Sequence, residues 1–232
     1  MKLQISGGEF FYDVEHKSGF TGVDFTIKSG QFMCLLGPNG CGKTTLLKTL
    51  NRLIHLQKGT VTIDGLDVAG MSRSHIARLI GYVPQLHQPA FPFTVLEVVL
   101  MGRAPHLGPL SSPRKGDIMA AEAAMETLGI AAFRDKPYTQ LSGGERQMVV
   151  FARVLAQEPS LILLDEPTSH LDFSNQIRLL RTVERLAATG IPIIMTSHFP
   201  DHDFMVSYRA ALMKHGRILA ISTPDEVITE KS

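Results

Sequence analysis

Residues 32–53 read FMCLLGPNGCGKTTLLKTLNRL, and the fold follows from how this stretch divides. Phe32 to Leu36 is a short, wholly apolar run, the pattern of a strand buried on both faces of a parallel sheet. TTLLKTLNRL after it has a helical pattern. Between them Gly37–Thr44, GPNGCGKT, fits the spacing G-x-x-x-x-G-K-[ST] in the strand-then-helix context that the spacing needs. The glycines let the loop curl so that backbone N–H groups and a helix N-terminus face phosphate oxygens. Lys43 would reach the terminal phosphates, and the Thr44 hydroxyl would ligate Mg2+. The bland alternative is a Gly-rich turn before a helix, and the flanking elements argue against it. Gly37, Pro38, Asn39, Gly40, Cys41, Gly42, Lys43, Thr44 and Thr45 are therefore the candidate phosphate-binding residues.

Working outward, three further apolar runs resemble the first: Leu79–Val83, Leu161–Leu164 and Ile191–Met195. Each ends on a polar cluster, PQ, DEPTS and TSH respectively. Parallel strands gather their ligand crevice at their carboxyl ends, so these clusters and the glycine loop should converge on one site in an α/β fold. In LILLDE, Asp165 would join the metal shell and Glu166 would act as general base on, or positioner of, an attacking water. A strand that ends in Asp-Glu is otherwise a common polar strand end, and its weight comes from the glycine loop. Leu141–Gln147, LSGGERQ, holds Ser142 three residues before Glu145, a helix capping box that also offers a hydroxyl and open N–H groups to an anion.

The remaining sequence sets the frame. FFYDV and VDFTI predict short strands in a small antiparallel N-terminal sheet, and ALMK and RILAIS flank His215-Gly216 as a second hairpin. Asp117–Leu128 and the stretch from Ser142 to Ala156 read as helices, so about 90–155 is expected to be a helical sub-domain inserted in a core formed by about 1–89 and 156–232, all within one unit of 232 residues. A formal net charge of +1 gives no broad basic field, which argues against nucleic acid as a partner. Two cysteines without metal-ligand spacing fit a reducing cytoplasm, and no apolar run approaches the roughly 20 residues that cross a bilayer. Cys41, in an N–H-rich loop beside Lys43, is expected to be a reactive thiol of lowered pKa.

The order GPNGCGKTT, YVPQ, LSGGERQ, LILLDEP, SHLD and TSH resembles the ATP-binding cassette (ABC) family across essentially the whole chain. The resemblance implies a P-loop ATPase core with an antiparallel β sub-domain and an inserted helical one. It implies ATP and Mg2+ as ligands, and a head-to-tail homodimer in which Ser142, Gly143, Gly144 and Glu145 of one chain close over ATP held by the other. Gln85 would reach the metal and sense the γ-phosphate, Asp172 would couple the two sites, and His198 would bond the γ-phosphate and steady Glu166. An aromatic near FFYD should stack on adenine; Tyr12 is the choice, its alternative being simple packing against the core. The Pro-rich segment with FPFTVLEVVLMGRAPHLG and EPTSHLD looks like cassettes of metal-chelate importers (ferric siderophore, haem or cobalamin, with molybdate in some relatives). That places the chain at the cytoplasmic face of a membrane, peripheral, beside a separate permease and a substrate-binding protein. Gln85–Leu110, with Phe91, Phe93, Val95 and Leu100, is expected to contain much of the permease surface, the alternative being that such residues form the sub-domain's own core, as is expected for Leu96 and Leu100. The rivals are a non-transport ABC ATPase and a small-molecule P-loop kinase, in which LSGGERQ would have no role.

Overall fold

The structure is a computed structural model that describes residues 1–13, 18–85, 91–108, 111–169, 171–197 and 209–229. Its first two strands, β1 (Lys2–Asp13) and β2 (Ser18–Lys28), pair antiparallel along most of their length. They are much longer than FFYDV and VDFTI alone suggest. The reason is that buried Leu3 and Ile5, opposite Ile27 and Phe25, carry β1 back toward its N-terminus, while buried Phe20 carries β2 back toward Ser18. With β4 (Lys58–Ile63) and β5 (Leu66–Asp67) they form a sheet of order β2-β1-β4-β5.

The second sheet has the order β10-β9-β3-β8-β7-β6. Here β3 is Phe32–Leu36, β6 is Ile80–Val83, β7 is Leu161–Asp165, β8 is Ile193–Ser197, β9 is Arg209–Lys214 and β10 is Arg217–Ser222. All neighbours from β9 to β6 run parallel, and β10 closes the edge as the expected antiparallel hairpin. Leu79 is not part of β6: it ends helix α2 (Arg73–Leu79), and the strand starts one residue later.

Burial on both faces explains why these strands are apolar without a break. Along β3, Phe32, Cys34 and Leu36 join one core cluster while Met33 and Leu35 join another; along β7, Ile162 and Leu164 oppose Leu161 and Leu163 in the same way. The face of Met33 and Leu163 packs on Leu46, Leu47 and Leu50 of helix α1 (Lys43–Leu50), which in turn carries the N-terminal sheet. The other face packs on α3 (Val95–Leu100), α4 (Lys115–Thr127), α5 (Gly143–Ala156) and α6 (Phe173–Ala188) through residues such as Val98, Met125, Phe151 and Leu179. Helices α3, α4 and α5 thus fall between β6 and β7 in the chain and share a core with the sheet.

Two helix starts carry the same local cap, of which the one at Ser142 is expected from the sequence. Thr94 and Ser142 cap α3 and α5, and the Thr94 and Ser142 backbone N–H groups donate at 2.7 Å to Glu97 Oε2 and Glu145 Oε2. Those backbone bonds, with the capping hydroxyls, hold both carboxyls below their ordinary value of 4.5. A depressed folded value stabilises above the ordinary one and loses that contribution as pH falls through the folded value. The urea midpoint is therefore expected to drop below about pH 4.5, and a Glu97→Gln/Glu145→Gln chain should show a shallower acid dependence over the same range.

Candidate nucleotide and metal site

The glycine loop leaves β3 and enters α1 through backbone that only glycine accommodates well. Gly42, the N-cap of α1, has φ 108°, and a Cβ there would lie 2.8 Å from the Gly19 carbonyl oxygen; one on Gly37 would lie 2.1 Å from the Met213 carbonyl oxygen. The loop is thus wedged between β2 and β9, and the Gly216 N–H donates to the Cys41 carbonyl at 3.2 Å. Lys43 folds back over the loop and donates to the Gly37 and Pro38 carbonyls at 2.6 and 3.2 Å. Its ammonium also lies 3.6 Å from Glu166 Oε1, with both side chains buried.

The strand ends bring the other candidates together. Asp165 Oδ1 accepts from the Thr44 hydroxyl at 3.0 Å and from the Thr196 hydroxyl at 2.9 Å, while the Tyr82 hydroxyl donates to Asp165 Oδ2 at 3.1 Å. Burial, then the Asp165 charge, raises the Tyr82 phenol far above its ordinary value, so it is a fixed donor. Glu166 adopts φ 46°, unusual for a side chain of this kind. Its N–H donates to Thr196 Oγ1 at 2.9 Å and its carbonyl accepts from the Ser169 hydroxyl at 2.9 Å, bonds that fix this turn. Gln85 Nε2 donates to Glu166 Oε2 at 2.8 Å.

A cavity of about 360 Å³ opens here, lined by Asn39, Gly40, Gly42, Lys43, Thr44, Thr45, Gln85 and Glu166 together with Ser18 and Gly19. The donor set fits a hard divalent cation: the Thr44 hydroxyl, the Asp165 carboxylate and the Gln85 amide oxygen offer oxygen only, and one carboxylate beside bound phosphates is a usual environment for Mg2+. Among the described residues no group of three or more His, Cys, Asp and Glu side chains could hold a metal by itself.

Other expected residues lie apart from this cavity. Ser142 accepts from Glu145 N and caps α5, and Gly143 has open space around it, so the helix start faces outward. Asp172 caps α6, accepting from Asn175 N at 2.9 Å. Tyr12 is 59% exposed, with its ring edge-on to Phe10 at 4.8 Å between centroids, which removes the alternative of simple core packing. His198 lies outside the described residues. Of the surface residues, Phe91 and Phe93 are exposed, but Val95 is fully buried and Leu100 packs partly against the core. Val95 therefore belongs to the interior, where the N-terminal turn of α3 points it.

Sequence reasoning left Ser18, Gly19, Tyr82 and Thr196 without roles. A polar residue closing an apolar strand, as Thr196 does in IIMTS, was the available signal for one of them; the SGF at residues 18–20 carried none.

The expectation for Cys41 is overturned. Its residue is only 6% exposed, tucked under the loop, and burial raises the thiol above its ordinary value despite nearby Lys43. Cys34 is wholly buried in β3. Both cysteines should resist a maleimide at neutral pH in the folded chain and react once urea unfolds it, as counted by mass spectrometry.

Comparison with known proteins gives the family. The family model described as ABC transporter matches residues 20–169. The hemin import ATP-binding protein HmuV of Streptomyces coelicolor is 39% identical over 90% of this chain and 74% of its own length. The iron(3+)-hydroxamate import ATP-binding protein FhuC of Bacillus subtilis is 36% identical over 89% of this chain and 77% of its own. A solved transporter described as metal-chelate type, in an inward-facing conformation, superposes with a TM-score of 0.86 at 30% identity, covering 99% of this chain and 85% of that one. The chain belongs to the ABC transporter family, as an ATP-binding cassette that hydrolyses ATP.

Proposed function

We propose that this cassette works as a head-to-tail pair beneath a membrane permease and powers uptake of a metal chelate. The observation that carries the catalytic part is the cavity in which Lys43, Gln85 and Glu166 meet below the glycine loop. With ATP bound, Lys43 would move its charge from Glu166 and the loop carbonyls to the β- and γ-phosphates. Glu166 would then accept a proton from, or orient, the water that attacks the γ-phosphorus, with Gln85 fixing Oε2. Thr44, Asp165 and Gln85 would hold Mg2+, which when bound neutralises phosphate charge. Tyr12 would meet the adenine, Asp172 would link the paired sites, and His198 would steady Glu166. The outward-facing start of α5, absent from the lining of its own chain's cavity, supports the reading that Ser142, Gly143, Gly144 and Glu145 close over ATP held by the partner chain.

The chelate reading rests on relatives named for haem and hydroxamate import and on the metal-chelate type transporter. A substrate-binding protein would deliver the cargo. No helix among the described residues is long and apolar enough to cross a membrane. The permease would sit over Phe91 and Phe93, whose exposed rings lie 6.0 Å apart.

Glu166→Gln should keep ATP bound while lowering hydrolysis by about 100-fold or more, since only the carboxylate charge is lost. Light scattering should then find an ATP-dependent dimer that Ser142→Arg abolishes; a monomer at high concentration with ATP demonstrably bound would sink the paired-site reading. Asp substitutions at Phe91 and Phe93 should leave the isolated ATPase folded and active but prevent co-purification with the permease; assembly that survives both would overturn this docking surface.

A further inference from the structure

The segment of β1 that carries Tyr12 is held on one edge by a side chain in place of a neighbouring strand. β1 and β4 last pair at Glu9 and Lys58, and the Gln57 backbone N–H donates to the Glu9 carbonyl at 2.9 Å. Among the described residues no strand pairs with β1 on that edge beyond Glu9. The amide of Gln57 takes over there: its Nε2 donates to the Phe11 carbonyl at 2.9 Å and its Oε1 accepts from the Phe11 N–H at 3.0 Å. These two bonds close the same ring that a paired residue closes in an antiparallel ladder. On its other edge Phe11 pairs with Gly19 of β2, which lines the nucleotide cavity and where the Phe10 carbonyl leaves no room for a Cβ. That pairing is irregular both before Phe10 and after Phe11, so the β1–β2 ladder alone sets the local direction of the chain loosely. Tyr12 is the next residue. Its ring stands on the same face of β1 as Phe10, which packs in turn against the core of the N-terminal sheet.

We propose that Gln57 is a positioning residue for the nucleobase: with Tyr12 read as the residue that stacks on adenine, the clamp on Phe11 fixes the direction in which the Tyr12 ring leaves the sheet. The Phe11 carbonyl belongs to the planar peptide unit that joins it to Tyr12, so the bond from Gln57 Nε2 acts on the plane from which that ring hangs. Tyr12 is largely exposed, and an exposed side chain loses rotamer freedom when a ligand orders it. Stacking therefore gains most where the backbone has already aimed the ring. The glycine loop sets the hold on the phosphates, and Gln57 sets the hold on the base.

Gln57 is exposed, and Gln57→Met keeps the length of its side chain while removing both bonds to Phe11. In the full chain, calorimetry should find the dissociation constant for ATP raised about fivefold, while kcat at saturating ATP stays within about twofold. Inorganic tripolyphosphate, which can meet the glycine loop but has no base, should bind both chains equally. A Tyr12→Ala background gives the second arm: there Gln57→Met should weaken ATP no further, because the ring that it aims is gone. An unchanged ATP affinity, a loss of tripolyphosphate affinity by the same factor, or an equal further loss in the Tyr12→Ala background would overturn the proposal and leave the reading of Tyr12 standing. Should Tyr12→Ala by itself leave ATP affinity unchanged, the base-stacking reading falls and the role of Gln57 falls with it.

Discussion

Three hydroxyl groups from three different elements converge on the carboxylate of Asp165, and the rest of the site depends on that convergence. Thr44 brings the first turn of α1, Thr196 brings the end of β8, and Tyr82 brings β6. None of the three is close in sequence to Asp165. A buried carboxylate is costly unless its oxygens are bonded, so strands and helix must hold their register for this residue to be tolerated at the end of β7. The same Thr196 hydroxyl accepts from the Glu166 N–H, which carries the constraint one residue further, to the carboxylate that faces the cavity.

The sheet supplies that register cheaply. β6, β7 and β8 are apolar on both faces and pair in parallel without interruption, so a slip of one residue would turn Asp165 away from α1 and expose none of the gain. Catalytic geometry is in this sense a by-product of core packing: Leu161 and Leu163 are seated against α1, Ile162 and Leu164 against the helices of the opposite face, and Asp165 falls where the next side chain must point.

Much of this was legible in the chain because the informative signals are local. A glycine loop between an apolar strand and a helix, a capping box at Ser142 and a strand ending in Asp-Glu each declare themselves within a few residues. Tyr82 and Ser18 do not, because their importance comes from which strand lies beside which, a property of tertiary pairing. Cys41 misled for a related reason. The loop's N–H groups and Lys43 were visible in sequence, whereas the core cluster that buries the thiol draws on distant residues such as Phe20 and Met213. Val95 misled through composition, since an apolar residue in a Pro-rich segment looks the same whether it faces a partner or the interior.

The wedge around the glycine loop also bears on how the molecule is made. The loop at Gly37–Thr44 is braced by Gly19 on one side and by Met213 and Gly216 on the other. β3, which launches it, lies between β8 and β9. A ribosome releasing the chain therefore exposes the glycine loop early but cannot deliver its supports until residues 209–216 have emerged as well. Contacts of such long sequence separation form slowly. Nucleotide affinity should consequently appear only after the hairpin of β9 and β10 has been made, well behind the loop that it braces.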